Sequence, residues 1–236
     1  MPERVSELRA KLNLLSDKKV AESLQRFFKT GKGEYGEGDN FIGLKVPLQR
    51  KLAREFKDLK LDEIKILLGA PVHEERLISL FILIDRYQKA ESKTKENIFN
   101  FYLRNRKGIN NWDLVDISAP KIIGKHLFEK DKSILYKFAL SKNVWERRIA
   151  ILSTHEFIKN NYFTPTLKIA EILISDEHDL IQKAVGWMLR EIGKKDLAVE
   201  EKFLKNYYKK MSRTMLRYAI EKFPEIKRKK YLQGKI

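Results

Sequence analysis

Three short stretches of the chain set an indole beside a charge at helical spacing. In Asn110-Asn111-Trp112-Asp113-Leu114-Val115-Asp116, Trp112 and Asp116 stand at i and i+4 and share one helix face, whereas Asp113 is one step from Trp112 and points elsewhere. In Val144-Trp145-Glu146-Arg147-Arg148, Trp145 and Arg148 stand at i and i+3. In Ile181-Gln182-Lys183-Ala184-Val185-Gly186-Trp187-Met188-Leu189-Arg190, the residues Lys183, Trp187 and Arg190 fall on one face. Indole faces attract cations, a fixed carboxylate stabilises developing positive charge, and arginine can clamp a phosphate with two parallel bonds. A lone tryptophan in a helical protein is more often core than site, and Trp145, beside Val144 at a helix start, reads as core. Asp113 and Asp116 also suit a helix N-cap or first turn. Trp112 and Trp187 resist the core reading, because their faces carry charges that a buried stripe avoids.

Other chemistries find no residues to carry them. The chain has no cysteine, which removes thiol nucleophiles, disulfides and thiolate-held metals. His73, His126, His155 and His178 are scattered and lack metal-ligand spacing, so no metal and no cofactor is expected. The glycine-rich stretch Gly31 to Gly38 does not open into a helix as a phosphate cradle does, and no nucleophile elbow is present.

The bulk charge narrows the partner. Among 236 residues, 49 Lys and Arg face 32 Asp and Glu, a net +17. Such an excess repels itself in a folded chain and is offset most simply by a polyanion, the DNA or RNA backbone. No run approaches the length of a membrane span and no leader is evident, so a cytoplasmic protein without membrane contact is the default.

The elements that must hold these residues are helical. Leu8, Leu12 and Leu15 repeat at helical spacing, as do Leu77, Leu80, Phe81 and Ile84, and Ile98, Phe101 and Tyr102. Pro47, Pro120 and Pro165 read as first-turn prolines. Ser16-Asp17, Ser141-Lys142-Asn143 and Ser175-Asp176 read as breaks that cap the next helix. Phe41 to Val46 is the best strand candidate. About a dozen helices and no real sheet are expected.

A cationic or indole side chain recurs at Arg76, Trp112, Arg148, Lys183 and Arg217, in steps of about 35 residues. That period predicts an all-α superhelix, a solenoid of HEAT-like helix pairs in one domain over 1–236, with a concave basic face able to follow phosphates. Ser212-Arg213 and Arg217 extend the cationic stripe, and the Lys227 to Lys230 run adds solvated charge near the end.

At Trp112 to Asp116, Trp145 to Leu152 and, most specifically, Ile181 to Glu191, the chain resembles the AlkD family of DNA alkylation-repair glycosylases, proteins of HEAT-like repeats. Gly36 to Pro47 (GEGDNFIGLKVP) also looks like a segment of this broad family. The resemblance implies a monomeric hydrolase acting on alkylated double-stranded DNA and releasing cationic purines such as 3-methyladenine and 7-methylguanine. It implies Asp116 as the catalytic carboxylate and Trp112 and Trp187 as aromatic walls of the lesion site. Arg148 would hold the backbone near the lesion, with Lys183 and Arg190 on neighbouring phosphates. It also implies a grip on the lesion's backbone without a base pocket. Phe27, in Gln25-Arg26-Phe27-Phe28-Lys29, stands where active glycosylases of the family carry a tyrosine; it keeps the ring and lacks the hydroxyl.

These residue types suit that reaction. A purine alkylated on a ring nitrogen is a good leaving group, and its departure leaves an electron-poor sugar carbon that a carboxylate stabilises. Two alternatives use the same residues: a basic helical-repeat protein that binds damaged or branched DNA without cutting, which Phe27 favours, and a protein-binding scaffold, which the charge disfavours.

Overall fold

A computed structural model describes residues 2–236, and among these the regular structure is helical with no strand. The helices are α1 (Glu3–Leu14), α2 (Lys18–Phe27), α3 (Val46–Glu55), α4 (Leu61–Leu68), α5 (His73–Lys89), α6 (Ser92–Asn105), α7 (Trp112–Ser118), α8 (Lys125–Leu127), α9 (Ser133–Ala139), α10 (Val144–Ser153), α11 (His155–Lys159), α12 (Thr164–Ile172), α13 (Asp179–Gly193), α14 (Leu197–Tyr207), α15 (Arg213–Ala219) and α16 (Glu225–Leu232). The expected dozen is exceeded because several pieces are only one or two turns long, and a π-helical stretch, Pro120–Gly124, interrupts the run from α7 to α8. The expected strand at Phe41 to Val46 does not form: Gly43 turns the chain at φ 89° and the Ile42 carbonyl accepts the Asp17 N–H, while an isolated bridge joins Asn40 to Val72 and Val46 already begins α3.

The chain forms two compact units, one ending at Ser118 and the other running from Ala119 to Ile236. Each is organised on one long helix. In the first unit, α5 packs against α3, α4, α6 and α7. Its sequence is apolar around the whole circumference after the first turn, and Leu77 through Ile84 are buried. A helix of that kind can only be a core element. In the second unit, α13 packs against α10, α11, α12, α14 and α15. Its buried residues Leu180, Ile181, Ala184, Val185, Met188, Leu189 and Ile192 follow helical spacing, leaving Lys183, Trp187 and Arg190 on the other face.

Local signals set most boundaries. Asp17 caps α2 by accepting from the backbone N–H of Lys19 and Val20, and Asn143 caps α10 by accepting from Trp145. Pro47 and Pro165 lie in first turns of α3 and α12. The cap of α13 falls two residues later than its sequence suggests. The ring of His178 accepts from the Leu180 N–H, while the Asp176 carboxylate accepts from the His178 N–H and pairs with Arg147. Leu15 also departs from expectation. It follows the end of α1 and is 41% exposed, whereas Leu8 and Leu12 are buried.

Gly186, in the middle of α13, is dictated by packing. A β-carbon there would overlap the Met215 carbonyl oxygen and the β-carbon of Tyr218 on α15. Two helices can approach this closely only where one presents no side chain. Gly186→Ala is therefore expected to destabilise the chain by about 1–3 kcal/mol. Denaturant midpoints compared at equal slope check this, and an unchanged midpoint would contradict the close contact.

Candidate functional site

The first unit brings together three of the residues singled out from sequence. Phe27 ends α2, Trp112 begins α7, and Asp116 lies one turn further along α7. The Phe27 and Trp112 rings meet edge to face with centroids 6.0 Å apart. Phe27 is 63% exposed, too open to serve the core, and Trp112 and Asp116 are half-buried. Solvent therefore reaches a small aromatic patch beside a carboxylate. Beneath it the Tyr102 hydroxyl is fully buried and shares a 3.0 Å hydrogen bond with Ser118. Burial raises its pKa, and the negative charge of Asp116 raises it further.

The Trp112 indole rests on a cluster of rings. It stacks on Phe28 (5.1 Å, 15°), and Phe28, Phe41 and the imidazole of His73 touch one another in a triangle, with centroids 4.8 Å apart for Phe28 and Phe41, 4.4 Å for Phe41 and His73 and 5.2 Å for Phe28 and His73. His73 opens α5 and is buried between two carboxylates, with Nδ1 3.1 Å from Asp39 and Nε2 2.8 Å from Asp113. Asp39 also receives the guanidinium of Arg76 and, at 2.7 Å, the side-chain amide of Asn111. The Asn111 side-chain oxygen in turn accepts the Trp112 backbone N–H at 2.8 Å. Asp113 does point away from Trp112, as its spacing predicts, but toward a buried partner.

Neither Asp39 nor His73 stands out in the sequence. They lie far apart along the chain, and His73 has no neighbour at ligand spacing. The available signal was the string His73-Glu74-Glu75-Arg76, charged yet opening a wholly buried helix: all four residues are at most 5% exposed. Glu74 accepts from the backbone N–H groups of Ile42, Gly43 and Leu44 and so clamps the segment that delivers Asp39 and Phe41. Gly43 is required there, with φ at 89° and the Asp17 carbonyl where a β-carbon would stand. A cleft of about 500 Å³ has Asp39, Arg76, Lys107 and Asn110 among its walls, whereas Trp112 and Asp116 do not line it.

The remaining predicted residues lie in the second unit. Trp187 is half-buried on α13, where its indole N–H donates to Glu191 at 3.0 Å and its ring lies 6.2 Å from that of His155. Lys183 pairs with Asp179 at 2.6 Å, and Arg190 pairs with Glu221. Arg148 is 5% exposed and donates to the Leu180 carbonyl at 2.5 Å, tying α10 to the first turn of α13. Arg76 is as deeply buried, so the recurring cation serves inside the fold at these two positions. Arg213 and Arg217 on α15 are exposed, and Arg213 donates to the Leu232 carbonyl. Trp145, expected in the core, is only half-buried.

The charge state of His73 follows from its partners. Burial works against its charge, but the hydrogen bonds to Asp113 and Asp39 outweigh burial and lift its pKa from 6.5 to about 9. Burial likewise opposes the charge of Asp39, yet His73, Arg76 and Asn111 hold its pKa below the ordinary value. A histidine whose folded pKa is raised contributes stability fully below pH 6.5 and loses it as pH rises through about 9. Glu200, pushed up to about 8 by burial, adds a separate loss between pH 4.5 and 8. Comparison with His73→Gln removes that background. The stability gap between wild type and this variant is expected to shrink from pH 6.5 to 9 by on the order of 1–3 kcal/mol. A gap independent of pH in urea unfolding would show that the fold does not raise the His73 pKa.

The comparisons with known proteins agree with this architecture. Residues 8–223 match the family model described as DNA alkylation repair enzyme. No curated protein matches the sequence. Among solved structures, one described as a predicted DNA alkylation repair enzyme from Enterococcus faecalis is 17% identical, with a TM-score of 0.71 over 89% of this chain and 97% of that one. AlkD2 from Streptococcus mutans is 19% identical, with a TM-score of 0.55 over 88% of this chain and 99% of that one. At such identities the structures establish the shared all-helical fold, and the sequence model, which spans most of the chain, establishes the family. The chain belongs to the DNA alkylation repair enzyme family.

Proposed function

We propose that this protein is a DNA glycosylase that hydrolyses the N-glycosidic bond of cationic alkylpurines, 3-methyladenine and 7-methylguanine, in double-stranded DNA. The observation that carries the reading is the solvent-reached aromatic pair Phe27 and Trp112 with Asp116 one turn away, in a family member with a net charge of +17.

Asp116 is assigned as the carboxylate that stabilises the oxocarbenium-like sugar as the base departs, and that orients the attacking water. The leaving purine already carries positive charge, so no general acid is required. Trp112 and Phe27 present ring faces and edges to a cationic lesion, each worth roughly 0.5–2 kcal/mol. On α13, the Trp187 indole likewise suits contact with a cationic group. Lys183, Arg213 and Arg217 reach solvent and suit phosphate contacts, with Arg190 beside them on α13. Arg148 would meet a phosphate only by reorganising its bond to the Leu180 carbonyl, so its replacement costs stability as well as binding. An open aromatic patch supports attack on a lesion that stays at the duplex surface rather than in a deep pocket.

The lack of a hydroxyl on Phe27 favours one other reading, a protein that binds damaged or branched DNA without releasing a base. One experiment separates the two. Asp116→Asn is expected to slow 7-methylguanine release from methylated duplex by about 10²-fold or more, with duplex affinity retained. Equal release by variant and wild type would remove Asp116 from the chemistry. Steeply salt-dependent binding with no release by the wild type would establish the non-enzymatic reading.

A further inference from the structure

We propose that His73 and Asp113 are positioning residues: together they set the Trp112 indole and the start of α7, the helix that carries Asp116. The proposal deepens the glycosylase reading and rests on it for its catalytic consequence.

The geometry is a tether at both flanks of one aromatic residue. α7 runs on through Ala119 into the π-helical stretch Pro120–Gly124, so its free end is the turn at Trp112, and the contacts of the residues flanking Trp112 set that turn. On one side of Trp112, Asn111 joins the Trp112 backbone N–H to Asp39 through bonds of 2.8 and 2.7 Å. On the other side, Asp113 receives His73 Nε2 at 2.8 Å. Asp39 itself receives His73 Nδ1 at 3.1 Å. One imidazole therefore secures the residues before and after Trp112. The same imidazole also meets Phe28 at 5.2 Å, and Phe28 stacks on the Trp112 indole at 5.1 Å, so His73 fixes the indole through one intervening ring as well as through the backbone.

The charges make the tether directional. A doubly protonated imidazole has two donors and no acceptor, and two carboxylates offer only acceptors, so each bond can form in one sense alone. A buried ion pair is weak grounds for stability, because apolar packing often does as well. Its use here is orientation. Asp113 is the end of the chain that faces outward, with 18% of its side chain exposed against 2% for His73. Its carboxylate also accepts the Leu114 N–H at 2.8 Å, which registers the first turn of α7. Asp116 follows three residues later on the same short helix, so a shift of that turn moves the carboxylate with it.

The test uses the full chain labelled with 5-fluorotryptophan. Its three tryptophans give three fluorine resonances, and Trp112→Phe assigns one of them. Asp113→Ala is expected to displace or broaden the Trp112 resonance while leaving those of Trp145 and Trp187 in place. Asp113→Asn can keep a hydrogen bond to a neutral imidazole and is expected to return the resonance toward its original position. Single-turnover release of 7-methylguanine should fall by about 10²-fold in Asp113→Ala, with affinity for undamaged duplex unchanged, and recover in large part in Asp113→Asn.

A Trp112 resonance that stays in place in Asp113→Ala overturns the proposal. So does a displaced resonance with an unchanged release rate. Uniform movement of all three resonances would mark a general loss of structure and equally refute a local tether. If the wild type releases no base, the glycosylase reading fails by itself, because the fluorine spectrum reads the tether without any reaction. The Asp113 pair leaves buried His73 intact, so the test does not depend on a variant of the core.

Discussion

The first unit depends on a buried cation held between two carboxylates. His73 is almost wholly enclosed, and enclosure disfavours charge; it stays protonated because Asp39 and Asp113 each accept one of its N–H groups. Arg76 and Asn111 complete the arrangement around Asp39, so the carboxylate is compensated on every side that the fold closes. The partners come from the glycine-rich segment, the start of α5 and the start of α7. One electrostatic cluster thus brings three distant stretches of chain to a common point.

That cluster accounts for features that otherwise look unrelated. The Gly31 to Gly38 stretch closes on itself, with Glu34 and Glu37 accepting from the backbone of Gly31 and Gly33, and leads into Asp39. Glu74 gathers three successive backbone N–H groups of the following segment. The ring cluster of His73, Phe41 and Phe28 then supports Trp112, at the edge where Phe27 is open to solvent. The open aromatic edge therefore rests on a rigid interior, as the proposed lesion contact needs.

The second unit solves a different problem. Its central helix α13 buries an aliphatic face and carries Lys183, Trp187 and Arg190 on the other. Gly186 lets α15 approach closely, which sets Arg213 and Arg217 on a helix packed against it. Some of its cations are engaged by acids, as in Lys183 with Asp179 and Arg190 with Glu221. Nonspecific phosphate binding by such a surface is steeply salt-dependent.

Much was legible in the sequence. Helical class, the long apolar helices and most caps follow from period and turn chemistry, which act over a few residues and are written locally. The family was legible at Ile181 to Glu191, and the pairing of Trp112 with Asp116 on one face follows from helical geometry alone. What only the tertiary structure decided is which charges are interior. Arg76 and Arg148 look like members of a surface stripe, yet their guanidinium groups bond to buried carbonyls. His73 looks isolated, yet it joins Asp39 to Asp113. The physical reason is that the ionisation and role of a buried polar group are set by partners that are near in space and remote in sequence, and no local pattern records them.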